Sequence, residues 1–130
     1  MGKHPVYELE YKGEKVSVFH PGVGVALMEE IIALGGRKFI SYGSGGVLDK
    51  NIAAGHILVP ISAVRDGGTS YHYIKPSREV SVNSQAVKAI EKVLKVHNCS
   101  YIPVKTWSID SFYRETKNKM KLRKEEGVWQ

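Results

Sequence analysis

Lys38–Pro60 reads KFISYGSGGVLDKNIAAGHILVP. The run KFISYG reads as a strand entering a Gly-Ser-Gly-Gly turn, and HILVPISAV, residues 56–64, as the strand that leaves it. The second run is almost continuously apolar, which is the pattern of a strand buried on both faces. Between them, Gly43, Gly45 and Gly46 permit positive φ and close backbone approach, and the Ser44 hydroxyl can donate to an anion. Successive N–H groups pointing inward would make an anion-binding concavity. The same four residues can equally form a tight corner between two strands. The turn is neither the P-loop nor the dinucleotide fingerprint, because no Lys-Ser/Thr pair follows and no clear helix opens from it. A likeness of GGRKFISYG to an RNA-recognition strand is weaker, since the aromatic pattern is incomplete.

Outward from this stretch, strands and helices alternate. VYELEYK and KVSVFH alternate apolar and polar residues around Gly13, the signature of a hairpin. VALMEEIIALGG sets Ala26, Leu27, Ile31 and Leu34 on or near one helical face, with Gly35 and Gly36 as the stop. NSQAVKAIEKVLKVHN predicts a helix capped by Asn83 or Ser84, striped by Val87, Ile90, Val93 and Leu94, and ended by Asn98. SYIPVKTWS follows as a strand, and a last helix begins near Thr116. Helices between strands predict an α/β layer structure, and the 130 residues fit one domain, 1–130.

The formal charge of +6 comes largely from the tail, where Lys117, Lys119, Lys121, Arg123 and Lys124 outnumber Glu125 and Glu126. Such a tail could hold nucleic acid in a salt-sensitive way. It reads more simply as a solvated helix face, because no stacking aromatics interleave with the lysines. No apolar run reaches the roughly 20 residues that span a bilayer, and the first residues lack the apolar core of a signal peptide. The single cysteine, Cys99, cannot form an internal disulfide, so a cytoplasmic setting is expected and a membrane association is not. No His, Cys and carboxylate spacing suggests a metal site.

Three colinear segments resemble the nucleoside phosphorylase family, particularly its uridine-phosphorylase-like members. Gly36–Tyr73, GRKFISYGSGGVLDKNIAAGHILVPISAVRDGGTSYHY, is similar to the middle of that family, with its Gly-Ser/Thr-x-Gly turn and its A-V-R-D-x-G-T-S-Y-H-Y loop. KTWSIDSFYRE resembles the family's T-x-D-x-F-Y-R-E segment, and RKEEGVWQ the approach to its next strand. The resemblance implies an α/β sandwich around a mixed, partly barrel-like sheet. It also implies transfer of a sugar from a base to inorganic phosphate, which is a co-substrate, with no cofactor. By the same resemblance Gly43 and Ser44, with Gly22 and Gly24 of HPGVG, would meet phosphate, and Phe112 would pack on the base or sugar. No residue is assigned as a catalytic base.

The chain also departs from the family. Ser41 stands where many members carry an arginine, and the PGVGVALMEE segment is about one helical turn short. A phosphate-gripping Gly-Asp-Pro loop would precede Met1. A Glu-Met-Glu strand that holds the ribose hydroxyls, and its covering helices, would follow Gln130. A truncated chain of this kind is expected to have impaired or absent turnover and to self-associate through uncovered apolar surface. The alternative is a catalytically inactive homologue acting as an oligomeric binding module, and a basic nucleic-acid binder is more distant. Arg65, Asp66, Thr69, Tyr71, His72 and Tyr73 form a polar, aromatic loop that is either functional or structural, the latter through an Arg65–Asp66 pair. His4, His20, His56 and His97 are scattered and read as surface or satisfied histidines. Asp110 could orient a loop as readily as touch substrate.

Overall fold

A computed structural model of the chain describes residues 5–20 and 26–130, except for the side chains of residues 26, 27 and 112. The chain divides into two compact units, Met1–Gly43 and Ser44–Gln130.

In the first unit, β1 (Val6–Tyr11) and β2 (Glu14–Phe19) form the expected antiparallel hairpin, in register from Val6 opposite Phe19 to Tyr11 opposite Glu14. Lys12 and Gly13 take φ of 54° and 80°, the two left-handed residues that a tight hairpin turn needs to match strand twist. Strand alternation puts Tyr7, Leu9, Tyr11, Val16 and Val18 on one face, and all five are exposed. Helix α1 (Ala26–Ala33) ends as its sequence predicts. Gly35 adopts φ 102°, so that its N–H reaches the Ile32 carbonyl while the Gly36 N–H reaches that of Ile31. This double closure satisfies carbonyls that a terminating helix otherwise leaves unpaired.

The expected strand at residues 38–43 does not form. Phe39, Ile40 and Tyr42 carry a strand-like pattern, but among the described residues no other strand pairs with them, and Tyr42 is 91% exposed. An extended run without a hydrogen-bonding neighbour is not a sheet strand.

The second unit is built on a three-stranded mixed sheet in the order β4-β3-β5. Strand β3 (Ile57–Arg65) runs antiparallel to β4 (Glu79–Ser81) and parallel to β5 (Tyr101–Ser108). Helix α2 (Ser84–Val96) lies between β4 and β5 in sequence and packs on β3. The Asn83 side chain accepts from the N–H groups of Gln85 and Ala86, and Asn98 at φ 52° ends the helix, both as the sequence predicts. The register of β3 against β5 slips at Ile61, directly after Pro60, which has no N–H to give the ladder.

Val59, Val64, Val104, Val128 and Ile52 make the buried apolar core. Strand β3 is covered on both faces only at its end, where the consecutive residues Val64 and Arg65 are both buried, and not along its whole length as its composition suggests. Ile57 is 40% and Ile61 44% exposed, while Val59 and Val64 are buried. A continuous apolar run reports what a strand can bury, not what lies against it. On the far side of β5, Val128 bridges Lys105 in parallel, the Trp129 N–H donates to the Lys105 carbonyl, and the Trp107 N–H donates to that of Gln130. The Leu48 N–H donates to the Trp129 carbonyl from the opposite flank. Residues 128–130 thus occupy a strand position between β5 and the segment that follows the glycines.

Candidate active site

That strand position brings residues 44–48 beside the end of β5. The tight turn expected at residues 43–46 does not form: residues 41–47 show neither turn nor bend. Ser44, Gly45, Gly46, Val47 and Leu48 form one wall of a cleft of about 420 Å³, and Thr106, Trp107 and Ser108 another, with Glu115 and Gln130 also in the lining. Among the described residues, the N–H groups of Ser44 to Val47 make no hydrogen bond and the Ser44 hydroxyl has no partner. Gly43, Gly45 and Gly46 do not use positive φ. At Gly43 and Gly46 a Cβ would meet nothing within 4 Å, whereas at Gly45 it would fall 1.8 Å from Gln130 Nε2. Of the three glycines, only Gly45 has a neighbour against it, and that neighbour is the movable end of the Gln130 side chain.

Phe112 begins a 3₁₀ turn, Phe112–Arg114, that links Ser108 to Glu115, so both ends of its segment reach the cleft. Its side chain lies outside the described residues, as do Gly22 and Gly24. Gly43 closes the first unit and Ser44 opens the second. Sequence reasoning missed Thr106, Ser108, Glu115 and Gln130 as lining. The YRE triplet marked Glu115 only as part of a longer resemblance, and no local pattern marks the other three.

The loop after β3 is held by Arg65, though through other contacts than the sequence suggested. Arg65 does not pair with Asp66. It is 5% exposed and donates to the Ser70 and Ser77 hydroxyls and to the carbonyls of Ser70, Ile74 and Lys75, with the Tyr71 ring 4.4 Å from its guanidinium carbon. A buried guanidinium with every donor directed at a loop fixes that loop's path. Asp110 accepts from the Gly68 N–H at 2.7 Å and so holds the loop to the residues that follow β5.

Asp66 turns instead to Arg78 at 2.9 Å and Arg123 at 2.7 Å, with Lys119 at 3.8 Å. Glu126 accepts from the same two arginines. Burial by itself would raise both carboxyl groups. The hydrogen bonds from Arg78 and Arg123, with their charge, outweigh burial and hold both below the ordinary carboxylate range. Arg123 is 3% exposed and sits over the Trp107 ring, whose Nε1 is buried without a hydrogen-bond partner among the described residues. Helix α3 (Lys117–Glu125), capped by Thr116, is therefore pinned through one of its basic residues. The tail's charge is thus partly internal, where the sequence suggested a solvated face. Among the described residues no group of His, Cys, Asp and Glu could hold a metal ion, and no helix is long and apolar enough to cross a membrane.

A mixed α/β unit in which a glycine-serine segment lines a cleft beside one of two parallel strands defines a broad class of proteins. Residues 1–129 match the Phosphorylase superfamily. The chain is similar to the uridine phosphorylase of Thermococcus kodakarensis, at 31% identity over 108 residues covering 80% of this chain and 39% of that protein. The uridine phosphorylase of Haemophilus influenzae is 29% identical over 106 residues, covering 78% and 42%. The fold is shared with the P knowlesi homolog of P falciparum PNP, at a TM-score of 0.83 and 20% identity over 99% of this chain and 56% of that one. The chain belongs to the nucleoside phosphorylase family within that superfamily. It spans about two fifths of the length of the curated relatives it matches.

Proposed function

We propose that the chain binds inorganic phosphate at the Ser44 segment and serves the phosphorolysis of a nucleoside. In that reaction a phosphate oxygen bonds to the anomeric carbon while the bond from that carbon to the base breaks. The electron pair leaves with the base, which takes up the proton that hydrogen phosphate gives up, directly or through water, so that free base and sugar 1-phosphate result. One observation carries the reading: the Ser44 hydroxyl, which has no partner among the described residues, lies on the segment Ser44–Leu48 that lines the cleft. A neutral donor in such a place suits an oxyanion. By family resemblance Gly43, Gly22 and Gly24 share the phosphate and Phe112 packs on the base or sugar. Phosphate is then the co-substrate, no cofactor is needed, and the protein works in the cytoplasm as one domain made of both units.

Turnover by this chain alone is slow or absent. The described lining of the cleft contains no Lys or Arg, and each missing preorganised donor costs a factor of about 100–1000 in rate. Calorimetric titration with inorganic phosphate tests the site. Wild type binds, and Ser44→Ala binds about tenfold more weakly, the worth of one hydrogen bond to a charged group. Release of uracil from uridine, or of hypoxanthine from inosine, depends on phosphate and is slow. Absence of phosphate binding by wild type, or equal binding by Ser44→Ala, overturns the reading.

A second reading, an oligomeric binding module without turnover, is favoured by the exposed apolar face of the hairpin. Such a face is covered by another surface in most soluble proteins.

A further inference from the structure

Arg65 closes β3 and, through its bonds to Ser70, Ile74, Lys75 and Ser77, braces the loop that follows. The Ser70 hydroxyl donates in turn to the Gly67 carbonyl at 2.9 Å. That carbonyl belongs to the same peptide unit as the Gly68 N–H, which donates to the Asp110 carboxylate at 2.7 Å. Both ends of one peptide unit are thus engaged, and each bond polarises the other.

Asp110 lies in the segment 109–115 that connects β5 to α3. Ser108, just before this segment, and Glu115, at its end, both line the cleft. Within the segment the Arg114 N–H donates to the Ser111 carbonyl and the Ser111 hydroxyl to the Asp110 carboxylate, contacts that move with it. Other parts of the lining are held by backbone. The Leu48 N–H is bound to the Trp129 carbonyl and the Trp107 N–H to that of Gln130, each at 2.8 Å. One side of the cleft is therefore tied into the sheet, and the other is tied by a carboxylate at the surface.

We infer that the Asp110–Gly68 bond is a latch on the cleft. Closed, it holds residues 109–115 as a strap against the loop that Arg65 braces. Released, it lets the strap turn about the end of β5 and the start of α3, carrying Glu115 away and opening the cleft from that side. The latch acts whatever ligand the cleft takes.

Two variants break the bond from its two ends. Asp110→Ala removes the acceptor, and Gly68→Pro removes the donor. The backbone admits that proline, because Gly68 opens a 3₁₀ turn and Gly67, at φ −89° and ψ 127°, is in the extended region that a following proline requires. Asp110→Asn keeps an oxygen that can accept. Chymotrypsin reads the strap at Tyr113, which is 98% exposed, and reads opening of the whole unit at Tyr101 within β5. Each breaking variant raises cleavage after Tyr113 about tenfold, the worth of one hydrogen bond to a charged group. The double variant raises it no further, since both changes remove the same bond. Asp110→Asn stays within about threefold of wild type, and cleavage after Tyr101 is unchanged in all. A wild-type rate after Tyr113 in both breaking variants, effects that multiply in the double variant, or a rise after Tyr101 in step with Tyr113 overturns the inference.

Discussion

The units Met1–Gly43 and Ser44–Gln130 are organised on different principles. In the first, the hairpin and α1 are set by residues adjacent in sequence, the Lys12–Gly13 turn and the Gly35 stop, and no described residue is buried. In the second, every buried residue of the described chain is found, and the centre is assembled from distant segments. Asp66 meets Arg123, Asp110 meets Gly68, and Leu48 meets Trp129. Local chemistry is enough to shape an element. Long-range pairing is what shapes a core and, in this chain, the cleft.

The largest test of that contrast is Arg123→Met. It leaves the carboxylates of Asp66 and Glu126 with Arg78 as their main partner and is expected to cost about 3 kcal/mol or more in urea unfolding of the second unit. A cost under about 1 kcal/mol would mean that the network does not hold α3.

Acid gives a smaller effect on the same unit. Asp66 and Glu126 titrate below their unfolded values of about 4, so in that window the unfolded chain binds more protons than the folded one. Their contribution is complete above the unfolded values and is lost as the pH falls through the folded ones. Urea midpoints that stay flat across this window in wild type, or a slope that Asp66→Asn leaves undiminished, would break the link to the network.

The smallest effect belongs to the hairpin. Leu9→Ser, on its exposed apolar face, is expected to change stability by less than about 0.5 kcal/mol. It should nevertheless shift sedimentation toward smaller species if the face is used between copies. A cost above about 1 kcal/mol without a change in sedimentation would show that the face is covered within the chain.

The same contrast explains what was legible in the sequence. Hairpin, helix ends and the Asn83 cap follow from short-range rules, and all were readable. The strand expected at residues 38–43 failed because apolar alternation does not reveal whether a partner strand exists. Arg65 and Asp66 looked like a pair because they are neighbours, but consecutive residues at a strand end project to opposite sides. Each therefore found its partners elsewhere. In the cleft, Ser44 was readable from the glycines around it, whereas Gln130 arrives there only through the pairing of residues 128–130 with β5.

That three-residue strand has a consequence for how the protein is made. It is flanked on one side by β5 and on the other by Leu48, both of which leave the ribosome before it does. Until Val128 to Gln130 emerge, the two flanks face each other across an unfilled strand position, and neither edge can pair through it. Order at the cleft therefore waits for these three residues. During the interval the edge of β5 that they will cover is open to pairing with another strand.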